Sequence, residues 1–229
     1  MRGNCHITVI IPALDEERAI DGVLRGIPGW VDDIIVVDNG STDATAEVAV
    51  AAGAHVVPEK KRGYGAACLR GIAEAREDSL LVFMDADGSD DPADMESLVE
   101  PVLRNEASLM IGSRTRGDAE AGALTPQARF GNWLACRLMR LSWGARFTDL
   151  GPFRAIHHRD LKKIGMTDEG YGWTVEMQIK ALKRGLVCRE VPVRYRKRIG
   201  KSKISGTVRG VIGAGTRILF LIARHSLVR

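Results

Sequence analysis

The sequence predicts an α/β domain, a Rossmann-like and mainly parallel sheet flanked by helices, followed by a basic amphipathic helix at the C-terminal end. Three observations predict it. Short β-branched runs alternate with longer amphipathic stretches through the first half. Those runs are almost continuously apolar, as in strands buried on both faces of a parallel sheet. A polar, turn-forming cluster follows most of them. With 229 residues the chain is long enough for one well-buried domain and short for two.

The elements follow in order. Ile7 to Ile11 reads as the first strand, and Asp15-Glu16-Glu17 after Pro12 as a helix start. Ile34 to Val37 is the second strand, and Thr42-Asp43 opens an Ala-rich helix ending near Gly53. His55 to Val57 and Leu80 to Met84 are the third and fourth strands, with Gly63-Tyr64-Gly65-Ala66-Ala67 between them as a tight turn opening a helix. Pro92 begins another helix, for which Asp90-Asp91 can serve as a cap. After Gly112-Ser113-Arg114 the pattern changes. Thr115 to Pro126 is a polar loop and Gln127 to Trp143 a helix; then come Thr148 to Ile156, a helix from Trp173 to Arg184, and a strand from Cys188 to Tyr195. The second half is expected to complete the sheet, so residues 1–206 form one domain and 207–229 the terminal helix.

Composition narrows the class. Cys5, Cys68, Cys136 and Cys188 are scattered, without the paired spacing of a zinc site or the density of a disulfide framework, which fits a reducing cytosol. No signal-peptide pattern precedes the first strand. Arg209, Arg217 and Arg224 interrupt the most apolar region, so no membrane-spanning helix is expected. Charge is uneven: residues 184–229 hold 12 Lys/Arg against one acidic residue, while the remainder holds 21 against 28. Such a basic segment suits phosphates, an anionic membrane surface or nucleic acid, or is simply a solvated face.

The chemistry concentrates where parallel strands end, since ligands gather at the carboxyl edge of such sheets. Asp15-Glu16, Asp38 to Asp43 and Asp85 to Asp91 each follow a strand, so three acidic loops are expected to share that edge. Asp85-Ala86-Asp87 places two carboxylates in a tight turn, which suits a hard divalent cation that keeps positions open for phosphate oxygens. Mg2+ or Mn2+ is the expected cofactor, held by Asp85 and Asp87. Neither a Gly-x-Gly-x-x-Gly turn after the first strand nor a Gly-Lys-Ser/Thr loop is present, which argues against hydride transfer and P-loop hydrolysis.

Taken in register, Pro12 with Glu16, Val36 to Asp43, Asp85-Ala86-Asp87, Gly112-Ser113-Arg114, Asp149 to Arg154 and Gly200 to Lys203 resemble family 2 glycosyltransferases, in the branch that transfers sugars to dolichyl or polyprenyl phosphate. The resemblance covers nearly the whole chain. It implies a GT-A fold, an inverting transfer and a UDP- or GDP-sugar donor. It implies that Pro12, Ala13, Leu14 and Glu16 line the nucleoside pocket, that Asp38 bonds the base, and that Asp85, Ala86 and Asp87 hold the ribose, diphosphate and metal. It places Arg114 toward the phosphates, Asp149 and Arg154 on the acceptor side, and the basic loop with Arg198 and Lys203 closing over the phosphates. Gly88-Ser89 stands where the branch often has Leu-Gln, and Gly151-Pro152 departs from its usual Ser-Gly.

The expected catalytic residues are Asp87, Arg114 and Asp149. A phosphate acceptor is already an anion, whereas a hydroxyl acceptor needs a carboxylate to take its proton. Asp149 is the first candidate for that base and Glu176 the second, although Asp149 can equally be a local cap and Glu176 can pair with Lys180 on its helix. The terminal helix either lies on a membrane surface, at the inner face of the cell membrane beside a lipid-phosphate acceptor, or packs its apolar stripe on the domain. His157, His158, Trp133 and Trp143 read as structural. A nucleotidyltransferase lacks support for want of a Gly-rich triphosphate loop. A non-catalytic membrane- or nucleic-acid-docking module suits the basic tail but leaves the acidic loops unexplained, so nucleic acid is not an expected partner.

Overall fold

The computed structural model describes residues 5–200 and 208–227. Lys203, the rest of the 201–207 segment and the boundary expected at 206/207 lie outside the described residues. Among those residues the strands are β1 (His6–Ala13), β2 (Asp33–Asp38), β3 (His55–Pro58), β4 (Ser79–Phe83), β5 (Leu109–Ser113), β6 (Arg154–His157) and β7 (Cys188–Pro192). The helices are α1 (Ile20–Gly26), α2 (Thr45–Ala51), α3 (Tyr64–Glu74), α4 (Met95–Leu103), α5 (Pro126–Trp143), α6 (His158–Ile164), α7 (Trp173–Lys183) and α8 (Val208–Leu227), with a 3-10 turn at Pro92–Asp94.

The strands form one sheet in the order β3-β2-β1-β4-β6-β5-β7. All neighbours run parallel except at β6, which is antiparallel to β4 and β5. Period-two alternation splits β1 between two cores. Ile7, Val9 and Ile11 pack with α1, α2 and α4, while Ile10 packs with α3, α6 and α7. A third apolar cluster joins α5, α7 and α8 through Met139, Val175, Ile179, Leu221 and Ile222. The terminal helix therefore packs on the domain, and burying two such side chains contributes about 1.5–3 kcal/mol each. Arg217 of α8 pairs with buried Asp168 at 2.6 Å.

The first helix start differs from expectation. The acids after β1 bond across to the loop after β2: Thr42 N–H donates to Asp15 Oδ1 and Ala44 N–H to Glu17 Oε2. With its carboxylates so engaged, the first helix starts only at Ile20, behind Ala19 and without a side-chain cap. Asp91, by contrast, caps the Pro92–Asp94 turn as its position suggested, accepting from Ala93 N–H. The last strand stops at Pro192, and Tyr195 continues only as a bridge to Asp90 and Ala119.

Helix α3 begins where the backbone of residues 168–170 crosses it. Gly65 N–H donates to Gly170 O at 3.2 Å, Ala66 N–H to Glu169 O at 2.9 Å, and a Cβ on Gly65 would overlap the Asp168 carbonyl oxygen. Gly65→Ala is expected to lower stability by about 1–3 kcal/mol. Thermal denaturation would read this as a lowered Tm, and an unchanged Tm would contradict so close a crossing.

Candidate donor site at the strand ends

Register brings the acidic loops together. Ala13 stands opposite Asp38 and Asp38 opposite Pro58, while β4 ends beside the middle of β1, with Ile10 opposite Phe83. Pro12, Ala13, Leu14, Glu16 and Asp38 thus lie on the same sheet edge as Asp85, Ala86 and Asp87. The loops are tied as well as adjacent. Asp15 N–H donates to Ser41 Oγ, Glu16 N–H to Thr45 Oγ1, and Ser41 N–H to Asp38 Oδ1. Asn39, buried, donates to the carbonyls of Glu59 and Lys61 and accepts from Gly63 N–H, stitching the β2 loop to the start of α3. Side-chain bonding of this kind at an Asn in a Gly-Ser-Thr loop is common, but its long-range partners are invisible in sequence.

The Asp85-Ala86-Asp87 turn leaves the wholly buried β4 and closes on itself. Asp85 N–H donates to Asp90 Oδ2 at 3.1 Å, and Ser89 N–H to Asp87 Oδ1 at 2.9 Å. Gly88 sits at φ +75°, in the left-handed region, and a Cβ there would lie 3.3 Å from Ile199 Cδ1. The departure from Leu at this position thus has a local cause, because a branched side chain would be strained and crowded here. Burial, with the charge of Asp87 second, pushes the Asp85 carboxyl up to about 7. Burial and then Asp85 push Asp90 well above the usual carboxylate range. Asp85 Oδ1, Ser89 Oγ and Asp90 Oδ1 are buried without a hydrogen-bond partner.

Such crowding of acids is compensated from one side by the segment after β7. Arg194 pairs with Asp94 at 2.7 Å and Asp91 at 3.1 Å, Arg196 with Asp91 at 2.6 Å, and Arg198 with Asp87 at 2.9 Å. Backbone bonds fix the strap, from Arg196 N–H to Ser89 O and from Ile199 N–H to Asp87 O, both 2.8 Å. Arg198 is therefore at the acidic turn, where its partner is Asp87.

Arg114 follows β5 at the same edge. Its Nε donates to Asp149 Oδ2 at 2.8 Å and its Nη2 to Asp149 Oδ1 at 2.7 Å, and its guanidinium lies 5.1 Å over the Tyr195 ring. Burial works to lower its pKa, but the Asp149 charge and hydrogen bonds outweigh that and hold it well above the usual value. Arg114 also lines a cavity of about 290 Å³ formed with the 115–124 loop and Arg129.

Two acceptor-side expectations need correction. Asp149 is fully buried, and its oxygens accept from the Arg114 fork, Arg114 N–H and Leu150 N–H, so no free lone pair is presented to an acceptor hydroxyl. It positions Arg114. Arg154 is also fully buried and donates to the carbonyls of Leu150, Gly151 and Thr174, binding the 149–151 loop to α7. Glu176 pairs with Lys180 at 2.7 Å and accepts from Thr167 and Asp168, the structural alternative foreseen for it. His158 donates its Nδ1–H to the Arg76 carbonyl within the fold, whereas Trp133 is exposed and packs against Phe130. Tyr195 was not singled out in the sequence, and only a lone aromatic among arginines marks it there.

The family model for glycosyl transferase family 2 matches residues 8–165. An uncharacterized glycosyltransferase of Mycobacterium bovis is 37% identical over 90% of this chain and 93% of its own length. The undecaprenyl-phosphate mannosyltransferase of Micrococcus luteus is 30% identical over 91% of this chain and 90% of its own. Among solved structures, glucosyl-3-phosphoglycerate synthase from Mycobacterium tuberculosis, in complex with Mn2+, UDP-glucose and phosphoglyceric acid, superposes with a TM-score of 0.79 at 23% identity, covering 100% of this chain and 82% of that one. The mixed sheet described above is thus a GT-A fold, and the chain belongs to glycosyl transferase family 2.

Proposed function

We propose that the chain transfers a hexose from a UDP- or GDP-sugar to an acceptor phosphate, with inversion, using Mn2+ or Mg2+ held by Asp85 and Asp87. The observation that carries this is the buried, unpartnered Asp85 Oδ1 beside Asp87 at the carboxyl edge. A buried carboxylate oxygen without a donor is costly unless a ligand completes it. Among the described residues no group of three or more His, Cys, Asp or Glu side chains forms a metal site, so donor phosphate oxygens would complete the coordination. When bound, the metal supplies charge neutralisation to the departing diphosphate.

The chain's own residues do the rest. Pro12, Ala13, Leu14, Glu16 and Asp38 receive the nucleoside at the edge of β1 and β2. Arg198, and Lys203 beyond it, donate to the diphosphate. Arg114, fixed by Asp149 and Tyr195, presents its remaining N–H groups to phosphate. With a phosphate acceptor the attacking oxygen is already anionic, so the lack of a free carboxylate at Asp149 is no obstacle. In-line placement and charge stabilisation then carry the rate.

For the acceptor, polyprenyl phosphate is the favoured reading. It is supported by the Micrococcus luteus relative and by an exposed apolar face on α5 and α8. Phe130, Trp133 and Leu141 are 62%, 58% and 72% exposed and Phe220 is 51% exposed. Exposed Arg129, Arg137 and Arg140 lie on α5 with them, the aromatic and basic mixture of a helix that rests on anionic lipid. No helix among the described residues is long and apolar enough to cross a membrane. A soluble phosphorylated acceptor is the second reading, favoured by the cavity beside Arg114 and Arg129. A transfer assay pairing UDP- and GDP-sugars with polyprenyl phosphate or phosphoglycerate, with and without Mn2+, tests both. Metal-dependent transfer to the lipid is expected, transfer to phosphoglycerate alone selects the second, and transfer to neither from any donor overturns the proposal.

A further inference from the structure

A second cleft, of about 180 Å³, plays no part in the donor site. Arg116, Arg146 and Arg189 rim it, and Phe147 and Leu182 form part of its lining. The three arginines come from three separate parts of the chain: the loop after β5, the turn after α5 and strand β7. All three are exposed, and none pairs with a carboxylate among the described residues. That differs from the strap, where each arginine has an acidic partner.

The cleft holds one acid, Glu190, whose oxygens are occupied by neutral donors and whose single charge offsets the three arginines only in part. Glu190 accepts from Thr148 N–H at 2.8 and 3.0 Å, from Thr148 Oγ1 at 2.8 Å and from Asp149 N–H at 3.0 Å. It is the single acidic residue in the basic 184–229 tract. The three arginines thus form a basic rim around one concave surface. Guanidinium groups converging on one concavity offer an anion several charge-assisted donors at once. Protection of a sheet edge explains Arg189 alone, since β7 is the edge strand. It does not explain the convergence of Arg116 and Arg146 from elsewhere.

We propose that this cleft binds a phosphate group, as a free phosphomonoester or a lipid headgroup, through Arg116, Arg146 and Arg189. Guanidinium forks suit a tetrahedral anion with several acceptor oxygens. The partly apolar lining of Phe147 and Leu182 accommodates the carbon attached to it. Glu190 connects the cleft to the catalytic edge, because the Asp149 whose N–H it holds is the partner of Arg114.

The test titrates inorganic phosphate and glycerol 3-phosphate into the full chain while following NMR signals of Phe147 and Leu182, which separates this cleft from any phosphate bound at Arg114 or Arg198. Arg146→Gln with Arg189→Gln is expected to weaken that binding on the order of a hundred-fold, about ten-fold per arginine. UDP binding in the presence of Mn2+ should be unchanged, which keeps the result independent of the donor site and certifies the fold. Phosphate affinity at these signals that is equal in wild type and double variant, or absent in both, overturns the proposal. Vesicle flotation distinguishes the sources. Retention on phosphatidic acid vesicles over phosphatidylcholine alone, lost in the double variant, assigns a lipid headgroup; glycerol 3-phosphate binding without that difference assigns a free phosphomonoester.

Discussion

Asp87→Asn is expected to lose the entire thermal stabilisation that Mn2+ and a nucleotide-sugar donor together confer on the wild-type protein. At a donor concentration of 100 times Kd, binding stabilises the native state by about 2.7 kcal/mol. For a domain of this size that is roughly 5–10 °C in Tm. The apo variant itself should lose less, because Asp87 is held from outside by Arg198 and Ser89 N–H rather than by the core. The sharper test is Arg198→Gln, because two effects of opposite sign are expected. Arg198 now neutralises Asp87 at 2.9 Å, so removing it should tighten binding of Mn2+ alone. The same change removes a donor to the diphosphate and should weaken UDP binding, about ten-fold for one charge-assisted contact. Mn2+ titration by electron paramagnetic resonance and UDP titration by calorimetry measure the two separately. Weaker binding in both would show that Arg198 does not compete with the metal.

The second large effect is on stability. Asp149→Ala leaves Arg114, whose side chain is 15% exposed, without its bidentate partner. An uncompensated buried charge costs about 3–5 kcal/mol, or roughly 6–20 °C in Tm at this chain length. Arg114→Met combined with Asp149→Leu should recover most of that stability while abolishing transfer, because replacing both partners removes the desolvated charge along with the strain of leaving one behind. Were Asp149 also the general base, Asp149→Asn would in addition remove the proton-accepting limb of the pH–rate profile. Differential scanning calorimetry on the single and double variants measures the stability effect, and pH–rate profiles of wild type and Asp149→Asn test the base.

How far the sequence could be read depended on the range of the interactions involved. Strands β1 to β4 were legible because burial on both faces leaves uninterrupted β-branched runs, and the acidic clusters sat at their ends because loops there are polar. Strand β6 was harder. Its four residues, Arg154–His157, begin with a charged residue that the fold buries among carbonyls, so hydropathy alone conceals it. The donor side of the site depends on local spacing, and Asp85-Ala86-Asp87 carries that in three letters. The acceptor side depends on pairing across long separations. Nothing around Asp149 discloses that its lone pairs are taken by Arg114, 35 residues earlier. Likewise the glycine that looked like a departure in the motif sits at positive φ beneath Ile199, a neighbour encoded at the far end of the chain.

That strap has a consequence for how the molecule comes into being. The acidic turn is complete once β4 has formed, yet its compensating arginines come about a hundred residues later, as with Arg194 and Asp94. During synthesis a growing chain therefore presents an anionic loop long before its counter-charges leave the ribosome. Closure of such distant contacts is a late event in folding. Donor binding should consequently be among the last properties the nascent protein acquires, and chains released before Arg198 would hold the Rossmann-like half of the sheet without the means to retain a nucleotide sugar.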